Sequence, residues 1–318
     1  MQLFHYRRRD GVENFGDALN LWLWPQILPE AFGAGEEALD SGLVLVGIGT
    51  LLNDRLPERL PKAQRVVVFS TGVGYEKPLR RLPAHWQIYC VRGPLSAQSL
   101  RLPMSSAITD GALLLRRCFQ PNWVRPETQI KKSSFAFMPH IHHAVYGGEM
   151  WQQICQDLGF GYIDPRWSVT QVLNAISQSE VLLAEAMHGA IAADALRVPW
   201  IPVQTSPRIL PFKWRDWCAS VQVPFRPALL PPLVPPYPPY AQGARSGLRA
   251  SRYWLRCYTQ APALPPDTRA NHARAAQRLL AISRTSPMLS QDRHLAVLEE
   301  RLEGAIARLK QDIWQDTF

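Results

Sequence analysis

Short runs of apolar and β-branched residues recur through the first half of the chain, and most of them end in glycine or a small polar residue. The first set occupies residues 42–47, 65–70 and 87–91. Continuous apolar runs of this length are typical of strands buried in a parallel sheet. We therefore predict parallel strands whose carboxyl ends open onto glycine-rich loops, the edge at which open α/β sheets bind ligands.

A second set of apolar runs follows, with helix-like segments between them. The predicted strands are residues 134–138, 160–164, 181–184 and 199–203, and the predicted helices are 149–158, 168–178 and 188–197. Prolines and a lysine pair interrupt the pattern at 120–132, where a domain boundary is expected. The predicted fold class is α/β, with two Rossmann-like domains and a cleft between them, at 1–127 and 128–223, the second carrying the donor site.

The pattern changes after residue 223. Residues 224–243 are so rich in proline that we predict an extended strap, and residues 244–318 are predicted to form a basic helical extension. Four arginines recur at helical spacing and predict one basic helix face: Arg245, Arg249, Arg252 and Arg256. Two further helices are predicted near 268–284 and 291–314. The second has an apolar stripe of Leu295, Leu298, Leu302, Ile306, Leu309 and Ile313.

Composition narrows the class of protein. The 318 residues are 47% hydrophobic, and neither a signal peptide nor an apolar run long enough to span a bilayer is apparent, so a cytoplasmic protein is expected. Five scattered cysteines predict buried thiols rather than a disulfide framework or a zinc site. The net charge of +9 favours anionic partners, but without a recognisable nucleic-acid-binding module we expect no nucleic acid.

The most informative stretch is 179–191, where an apolar run stops at Glu-Ala-Met-His-Gly and a small-residue helical pattern begins. The amino end of a helix presents free N–H groups and a positive dipole end, so an anion can dock there beside the imidazole of His188. His188 is thus the leading active-site candidate, with Glu185 as acid, base or orienter. The alternative is a core histidine satisfied by the backbone.

Other candidates also lie near predicted strand ends. Arg92 leaves a strand at a Gly-Pro turn, where its guanidinium could hold a phosphate or carboxylate in the cleft, or else form a surface ion pair. Asn14 and Asp17 precede a helix and either cap it or line the cleft. Among three nearby histidines, His140 suits hydrogen bonding, whereas His142 and His143 are expected in an exposed loop; metal ligation is disfavoured because supporting carboxylates or thiolates are not evident.

Residues 211–217 mix cations with aromatic side chains. Lys213 could reach a phosphate, and Trp214 or Trp217 could stack on a sugar. Alternatively, Arg215 and Asp216 form an ordinary surface pair and the tryptophans pack against the proline-rich strap. The spacing leaves both interpretations open.

Seven short motifs together resemble the polysaccharide pyruvyl transferase family. In order they are Asn14-Phe15-Gly16-Asp17-Ala18-Leu19-Asn20, Gly47-Ile48-Gly49-Thr50, Gly72-Val73-Gly74, Val91-Arg92-Gly93-Pro94-Leu95-Ser96, Thr109-Asp110-Gly111-Ala112, Pro139-His140 and Glu185-Ala186-Met187-His188-Gly189-Ala190. Each is weak alone, but their order makes the set specific from about residue 14 to 217. The form of the last motif is similar to the exopolysaccharide branch of the family.

The resemblance implies a glycosyltransferase-B-like pair of domains and a reaction without metal or cofactor. Pyruvate would pass from phosphoenolpyruvate, the donor substrate, to two hydroxyls of one sugar, forming a cyclic ketal and releasing phosphate. Arg92 and His188 would contact the donor, assisted by Lys213, His140 and Gly189, and Glu185 would join His188 in catalysis. The residues expected at the acceptor or cleft are Asn14, Asp17, Gly49, Gly74, Asp110 and Trp214.

One departure concerns the position before His188, where some members carry a basic residue and this chain has Met187. The expected acceptor is an oligosaccharide, in one version linked to lipid diphosphate at the inner face of the membrane, against which the four-arginine face would hold the enzyme. Two alternatives remain open: a nucleotide-sugar glycosyltransferase on the same frame, and a non-catalytic polysaccharide assembly protein.

Overall fold

The computed structural model describes residues 1–8, 10–32, 42–120, 133–205, 209–231, 233 and 268–315. The chain divides into two compact units, each drawing on separate stretches of sequence. The first unit consists of Met1–Gln120, Leu210–Phe225 and Ser290–Phe318, and the second of Pro121–Ile209 and Arg226–Leu289. The sequence pattern instead predicts contiguous domains followed by a separate extension from residue 244.

The helices alternate with parallel strands in both units. In chain order they are α1 (Phe15–Ile27), α2 (Leu56–Arg59), α3 (Pro94–Ser99), α4 (Leu115–Cys118), α5 (Ile141–Asp157), α6 (Val169–Ser177), α7 (Met187–Ala195), α8 (Pro211–Ser220), α9 (Thr268–Ser283) and α10 (Asp292–Gln315). Short 3-10 helices occupy Pro29–Ala31, Met104–Ser106 and Gly111–Leu114.

A four-stranded parallel sheet forms the centre of the first unit, in the order β1-β2-β3-β4. Its strands are β1 (Gln2–Phe4), β2 (Leu43–Val46), β3 (Arg65–Phe69) and β4 (Trp86–Cys90). Every residue of β2 is buried, as expected for a strand covered on both faces. The three strands predicted in this half are confirmed, whereas β1 is too short to give a sequence signal.

A five-stranded parallel sheet forms the centre of the second unit, in the order β6-β5-β7-β8-β9. Its strands are β5 (Ser133–Met138), β6 (Gly161–Tyr162), β7 (Ser179–Ala184), β8 (Trp200–Gln204) and β9 (Ala228–Leu229). The predicted α/β class with parallel sheets is confirmed. The glycosyltransferase-B-like arrangement stays a prediction.

The segments after residue 223 take part in both cores. β9 pairs with Val203 and Gln204, and the following Leu230 is buried, so part of the predicted proline strap is an edge strand. Leu279 of α9 packs in the same core as Phe137. Residues 234–243 of the strap and the four arginines Arg245, Arg249, Arg252 and Arg256 lie outside the described residues.

Helix α10 belongs to the first unit through its apolar stripe. Leu295, Leu298, Leu302, Ile306 and Leu309 are all buried, as the helical spacing predicts. On the polar side, Nη2 of Arg301 donates to the carbonyls of Ser105 and Ala107, each at 3.0 Å. The two terminal helices predicted from sequence are thus confirmed as helices, and each completes the core of a different unit.

The cysteines are buried as predicted where the structure describes them. Cys90, Cys155 and Cys218 are buried thiols, and Cys118 is partly buried. Burial raises the pKa of Cys90 and Cys155 to about 12, so both remain protonated at neutral pH. Among the described helices, none combines the length and apolar composition needed to cross a membrane.

Candidate functional site

Three adjacent strands of the second unit bring polar residues to one edge of the sheet. Strands β5, β7 and β8 are neighbours and parallel, so their carboxyl ends lie together. His140 follows β5, Glu185 follows β7 and Thr205 follows β8. The N–H of Glu185 donates to the carbonyl of Met138 at 2.9 Å, which fixes the exit from β7 against the end of β5.

The carboxylate of Glu185 is completely buried and receives hydrogen bonds at both oxygens. Its Oε2 accepts from the backbone N–H of His140 at 2.9 Å and lies 2.7 Å from Nδ1 of His143. Its Oε1 accepts from the N–H of Thr205 at 2.8 Å and from the Thr205 hydroxyl. This pattern stabilises a buried anion, since each contact places a proton against it.

His143 faces this carboxylate from the first turn of α5. Its Nδ1 also lies 2.7 Å from Oγ1 of Thr205, whose own proton goes to Glu185. A bare ring nitrogen would turn its lone pair toward the carboxylate, so we assign the proton to Nδ1. Because the expectation placed His142 and His143 in an exposed loop, it needs correction: both lie on α5, and the His143 side chain is 13% exposed.

Opposing influences act on the pKa of Glu185. Burial, the largest single effect, raises it, whereas the charge and hydrogen bond of His143 and the donors from His140 and Thr205 lower it. The net pKa is below the ordinary value of 4.5. Glu185 is therefore ionised at neutral pH, which makes it an acceptor rather than an acid. The imidazole that it orients is His143.

His188 is the second residue of α7, as the strand-to-helix pattern predicts. Ala186 is the extended N-cap residue, and the N–H of Ala190 closes the first turn on the Ala186 carbonyl at 3.2 Å. Gly189 lets this turn approach β5, since a Cβ there would lie 2.5 Å from Sδ of Met138. The half-buried imidazole of His188 thus lies at a helix amino terminus.

Arg92 of the first unit has different surroundings from those expected. Its guanidinium is 0% exposed and pairs with Asp216, Nε to Oδ2, at 3.0 Å. The remaining contacts of the guanidinium are to the Gly49 carbonyl at 3.2 Å, Oγ1 of Thr50 at 2.8 Å and the Val73 carbonyl at 2.8 Å. Neither Arg92 nor Asp216 is therefore a surface residue here. Contact of Arg92 with the donor stays a prediction that requires exchanging these partners.

Two motif glycines are explained by this buried pair. A Cβ on Gly72 would lie 2.5 Å from Cζ of Arg92, and one on Gly93 would overlap the Asp216 carbonyl oxygen. Any larger residue would push the guanidinium or helix α8 away. The motifs around Gly49, Gly72 and Arg92 are thus assembled around one ion pair whose acid comes from α8.

Two other candidates lie on α8. Nζ of Lys213 donates to the Tyr75 hydroxyl at 3.1 Å and lies 5.4 Å from the centre of that ring. The phenol is neutral, so this contact leaves the charge of Lys213 uncompensated. Trp214 is completely buried and stacks on Phe225 with ring centres 5.3 Å apart. The expected sugar-stacking face of Trp214 is corrected to a packing role, the alternative that the sequence left open.

The N-terminal candidates also make local contacts. Asn14 occupies the N-cap position of α1, but its side-chain amide donates to Asp17 at 2.8 Å instead of capping the helix backbone. Sequence reasoning missed Asn20 in the same motif. Its Oδ1 accepts from the N–H of Ile48 at 2.8 Å and from the Trp24 indole at 3.0 Å. Asn20 is completely buried, and these hydrogen bonds join α1 to the loop after β2.

Three further candidates belong to turns in the first unit. Asp110 is buried and accepts from the Ala112 N–H at 3.0 Å as the cap of a 3-10 helix. Gly49 has a φ of +137°, which side chains rarely adopt. A Cβ on Gly74 would lie 2.7 Å from Cγ2 of Thr50. In the described part of the chain, no group of three or more His, Cys, Asp or Glu is placed to hold a metal ion.

Comparison with known proteins agrees with the motifs. The family model described as polysaccharide pyruvyl transferase matches residues 14–207. The chain is also 34% identical, over 98% of its length and 99% of the relative's, to a succinoglycan biosynthesis protein, ExoV, of Rhizobium meliloti (strain 1021). The family match covers the strand ends of both sheets, and the similarity to the relative extends over the segments beyond it.

Proposed function

Because the chain belongs to the polysaccharide pyruvyl transferase family, we propose that it transfers pyruvate from phosphoenolpyruvate to two hydroxyls of one sugar, forming a cyclic ketal and releasing phosphate. That the chain is a pyruvyl transferase of exopolysaccharide biosynthesis follows from the family and from the relative named for succinoglycan biosynthesis. The proposal adds to this activity phosphoenolpyruvate as the donor and a cyclic ketal as the product.

The reaction sets requirements for proton transfer. A proton adds to the methylene carbon of phosphoenolpyruvate, and the first sugar oxygen bonds to the central carbon as its hydroxyl loses a proton. The bond from that carbon to the phosphate oxygen then breaks, and the second hydroxyl adds with loss of its proton. One hydroxyl proton replaces the proton given to the methylene carbon, and the other leaves with phosphate. The site needs a group that both gives and takes a proton.

The observation that supports this proposal is the gathering of imidazoles and a helix amino terminus at one sheet edge of the second unit. His140 and His143 follow β5, and His188 begins α7 after β7, the neighbouring strand. In this proposal, the amino end of α7 and His188 bind the donor phosphate. Since Met187 supplies no cation, another basic group must complete that contact.

Lys213 of the first unit is by itself a candidate for binding an anionic ligand. Its side chain is 9% exposed, and its hydrogen bond goes to a neutral phenol. A buried ammonium without a carboxylate in this contact favours an anionic ligand. Arg92 is a weaker candidate because Asp216 already compensates its charge.

A thermal-shift titration tests the donor. We expect phosphoenolpyruvate to raise the melting temperature of the wild-type protein, with a smaller rise in His188→Gln. His142→Gln, a change of the same kind on α5, serves as the matched control and should respond like the wild type. Stabilisation by a sugar nucleotide instead would identify a glycosyltransferase.

The reaction itself is tested in cells that lack the gene. Expression of the wild-type chain should restore the ketal methyl signal in the NMR spectrum of the secreted polysaccharide, and His188→Ala should not. Full restoration by His188→Ala would favour the non-catalytic assembly protein.

We also propose that the acceptor is an oligosaccharide linked to lipid diphosphate at the inner face of the membrane. The support is the sequence spacing of Arg245, Arg249, Arg252 and Arg256, which predicts one basic helix face that would favour anionic headgroups. Flotation with vesicles containing anionic lipid tests this. Binding that persists unchanged when all four arginines become glutamine would exclude the proposed contact.

A further inference from the structure

We propose that His143 is the residue that gives and takes the proton in pyruvyl transfer, with Glu185 and Thr205 as the residues that position it. This inference rests on the proposed function and adds to it a catalytic residue outside the motifs quoted above. It assigns binding of the donor phosphate to His188 and proton exchange to His143.

The tautomer of His143 leaves Nε2 as the nitrogen that can exchange a proton. Nδ1 is within 2.7 Å of both Glu185 and Thr205 and carries a proton toward them. Only Nε2 is left to change its protonation state, and its approach to Oγ1 of Thr205 is a longer 3.4 Å. An imidazole held at one nitrogen by a carboxylate and left able to exchange a proton at the other is the arrangement that general acid–base catalysis uses.

The hydrogen bonds around Glu185 compensate for the unfavourable burial of its carboxylate. Glu185 is ionised in a fully buried position, which requires several hydrogen bonds to compensate for lost hydration. Hydrogen bonds from backbone N–H groups of two loops and from one hydroxyl meet this requirement, and the remaining contact is His143. The backbone at two strand ends is thus arranged to hold an anion beside one imidazole.

The His143 ring lies at the ligand-binding edge of the sheet and is partly accessible. His143 lies three residues after His140, in the first turn of α5, and the two rings are 6.3 Å apart. Glu185 and Thr205 end the neighbouring strands β7 and β8, so the imidazole lies at the carboxyl edge of the sheet, where α/β proteins bind ligands. The exposed 13% of its side chain leaves a path for a substrate atom.

The proposed step is balanced. The imidazolium of His143 gives the Nε2 proton to the methylene carbon of phosphoenolpyruvate and becomes neutral. The same nitrogen then takes the proton of the first sugar hydroxyl as its oxygen bonds to the central carbon. The imidazolium is restored. The bond from the central carbon to the phosphate oxygen then breaks, the second sugar oxygen bonds in its place, and the proton of that hydroxyl leaves on phosphate. Glu185 stays ionised throughout and favours the imidazolium.

The decisive experiment compares His143→Gln with His142→Gln, which is on the same helical turn. In His143→Gln the glutamine amide can still donate to Glu185, so we expect this variant to fold. Circular dichroism and melting temperatures check the folding of both variants. With phosphoenolpyruvate and a lipid-linked oligosaccharide extract, we expect His143→Gln to lower kcat at least about 100-fold, with KM for phosphoenolpyruvate within about threefold of wild type. His142→Gln should keep wild-type kcat.

A positioning role for Glu185 is tested by the pH dependence of kcat. The groups that face His143 are Glu185, the Thr205 hydroxyl and the ring of His140. Removing the anion in Glu185→Gln disfavours the imidazolium, so the alkaline limb of the profile should move to lower pH. An unchanged limb, or a rise in KM without loss of kcat, would overturn the positioning role.

The two levels of the proposal fail differently. If the wild type neither binds phosphoenolpyruvate nor releases phosphate from it, the proposed function fails and this inference fails with it. If the wild type turns over and His143→Gln keeps its kcat, only the role of His143 is overturned. Selective 15N labelling gives a reading that does not depend on the donor: a neutral His143 carrying its proton on Nε2 would also overturn the assignment.

Discussion

At the scale of single residues, Glu185 links stability to pH. Its folded-state pKa is lower than the ordinary value of 4.5, so its ionised form stabilises the fold above that pH, and this contribution is lost as the pH falls through the folded-state value. Glu185→Gln should lower the free energy of unfolding by about 2 kcal/mol at pH 7. The difference from wild type should shrink toward pH 3.

Urea unfolding of both proteins at several pH values measures this difference. Other carboxylates titrate in both proteins, so subtracting the two curves isolates Glu185. A difference that stays constant from pH 7 to pH 3 would mean that the pKa of Glu185 is the same in the folded and the unfolded protein.

The buried pair of Arg92 and Asp216 gives a second prediction. Removal of either partner leaves an uncompensated buried charge, so Arg92→Gln and Asp216→Asn should each destabilise the protein by about 3–5 kcal/mol. The double variant should lose less than the sum of the single losses. Chemical denaturation of the four proteins measures the coupling.

The neighbouring exposed Arg215 provides the control, because Arg215→Gln should change stability by less than about 0.5 kcal/mol. If Arg92→Gln keeps wild-type stability but loses its thermal response to phosphoenolpyruvate, Arg92 is a donor ligand, as the family resemblance implies, and our structural reading of the pair is wrong.

Sequence reasoning reached His188 but passed over His143 for an identifiable reason. His188 follows an apolar run and begins a small-residue helix, a pattern visible in one stretch of chain. The role of His143 depends on Glu185 and Thr205, which are 42 and 62 residues away. Sequence spacing carries no signal for contacts of that kind. The cluster of three histidines is the local sequence signal, and it predicts hydrogen bonding by His140 and an exposed loop for His143.

At the scale of elements, the space around a glycine decides the effect of replacing it by alanine. Two glycines in the first unit are expected to respond in opposite directions. Gly93→Ala would drive a methyl group into the backbone of α8, so we expect a loss of more than about 3 kcal/mol and much insoluble protein. Gly304 lies within α10, and the nearest atom to a Cβ there is Nη1 of Arg308 at 3.8 Å. Gly304→Ala should stabilise the protein by about 0.5–1 kcal/mol.

Melting temperatures of Gly93→Ala and Gly304→Ala test both predictions. Equal effects would mean that helix propensity, and not the approach of α8 to Gly93, decides both.

The elements that were predicted well are those with a continuous local pattern. Apolar runs predict β2, β3, β4, β5, β7 and β8 because most residues of these strands are buried, and β2 and β8 are buried throughout. The first half of α5 was missed because three histidines and the pair Gly147-Gly148 resemble a loop, and the backbone at Gly147 is indeed non-helical. β9 has two residues in a proline-rich segment, where pairing with β8 overrides the local preference.

At the scale of the whole molecule, distant segments should lose protection from hydrogen exchange together. Leu302→Asp places a charge in the buried face of α10, so we expect faster exchange in the first unit, including β4 and residues 111–114, while β5 and β7 keep their protection. Leu279→Asp in α9 should affect β5 and β7 instead.

Val297→Asp is the matched control for α10, because Val297 lies on the same helix and is exposed. It should leave the exchange pattern of the wild type. Exchange that rises across both units in Leu302→Asp would show that the two units unfold as one.

The interrupted pattern at 120–132 marks where the first unit gives way to the second, but the return of residues 210–225 and 290–318 to the first unit could not be read from local sequence. The apolar stripe of α10 predicts a helix with a partner, but nothing in the stripe says which sheet it covers. Pairing of Tyr89 with Asp312 and of Arg116 with Glu299, the latter at 3.6 Å, joins positions far apart in the chain. Such contacts depend on the folded path of the whole chain.

The divided make-up of the first unit has a consequence for synthesis. Every residue of the second unit is translated before Ser290–Phe318, so the second unit can begin to fold while the first still lacks α10. Until α10 arrives, the nascent first unit exposes the apolar surface that Leu298 and Leu302 later cover. Messages cut short before this helix would therefore yield chains that proteases and chaperones recognise, and incomplete enzyme would not accumulate.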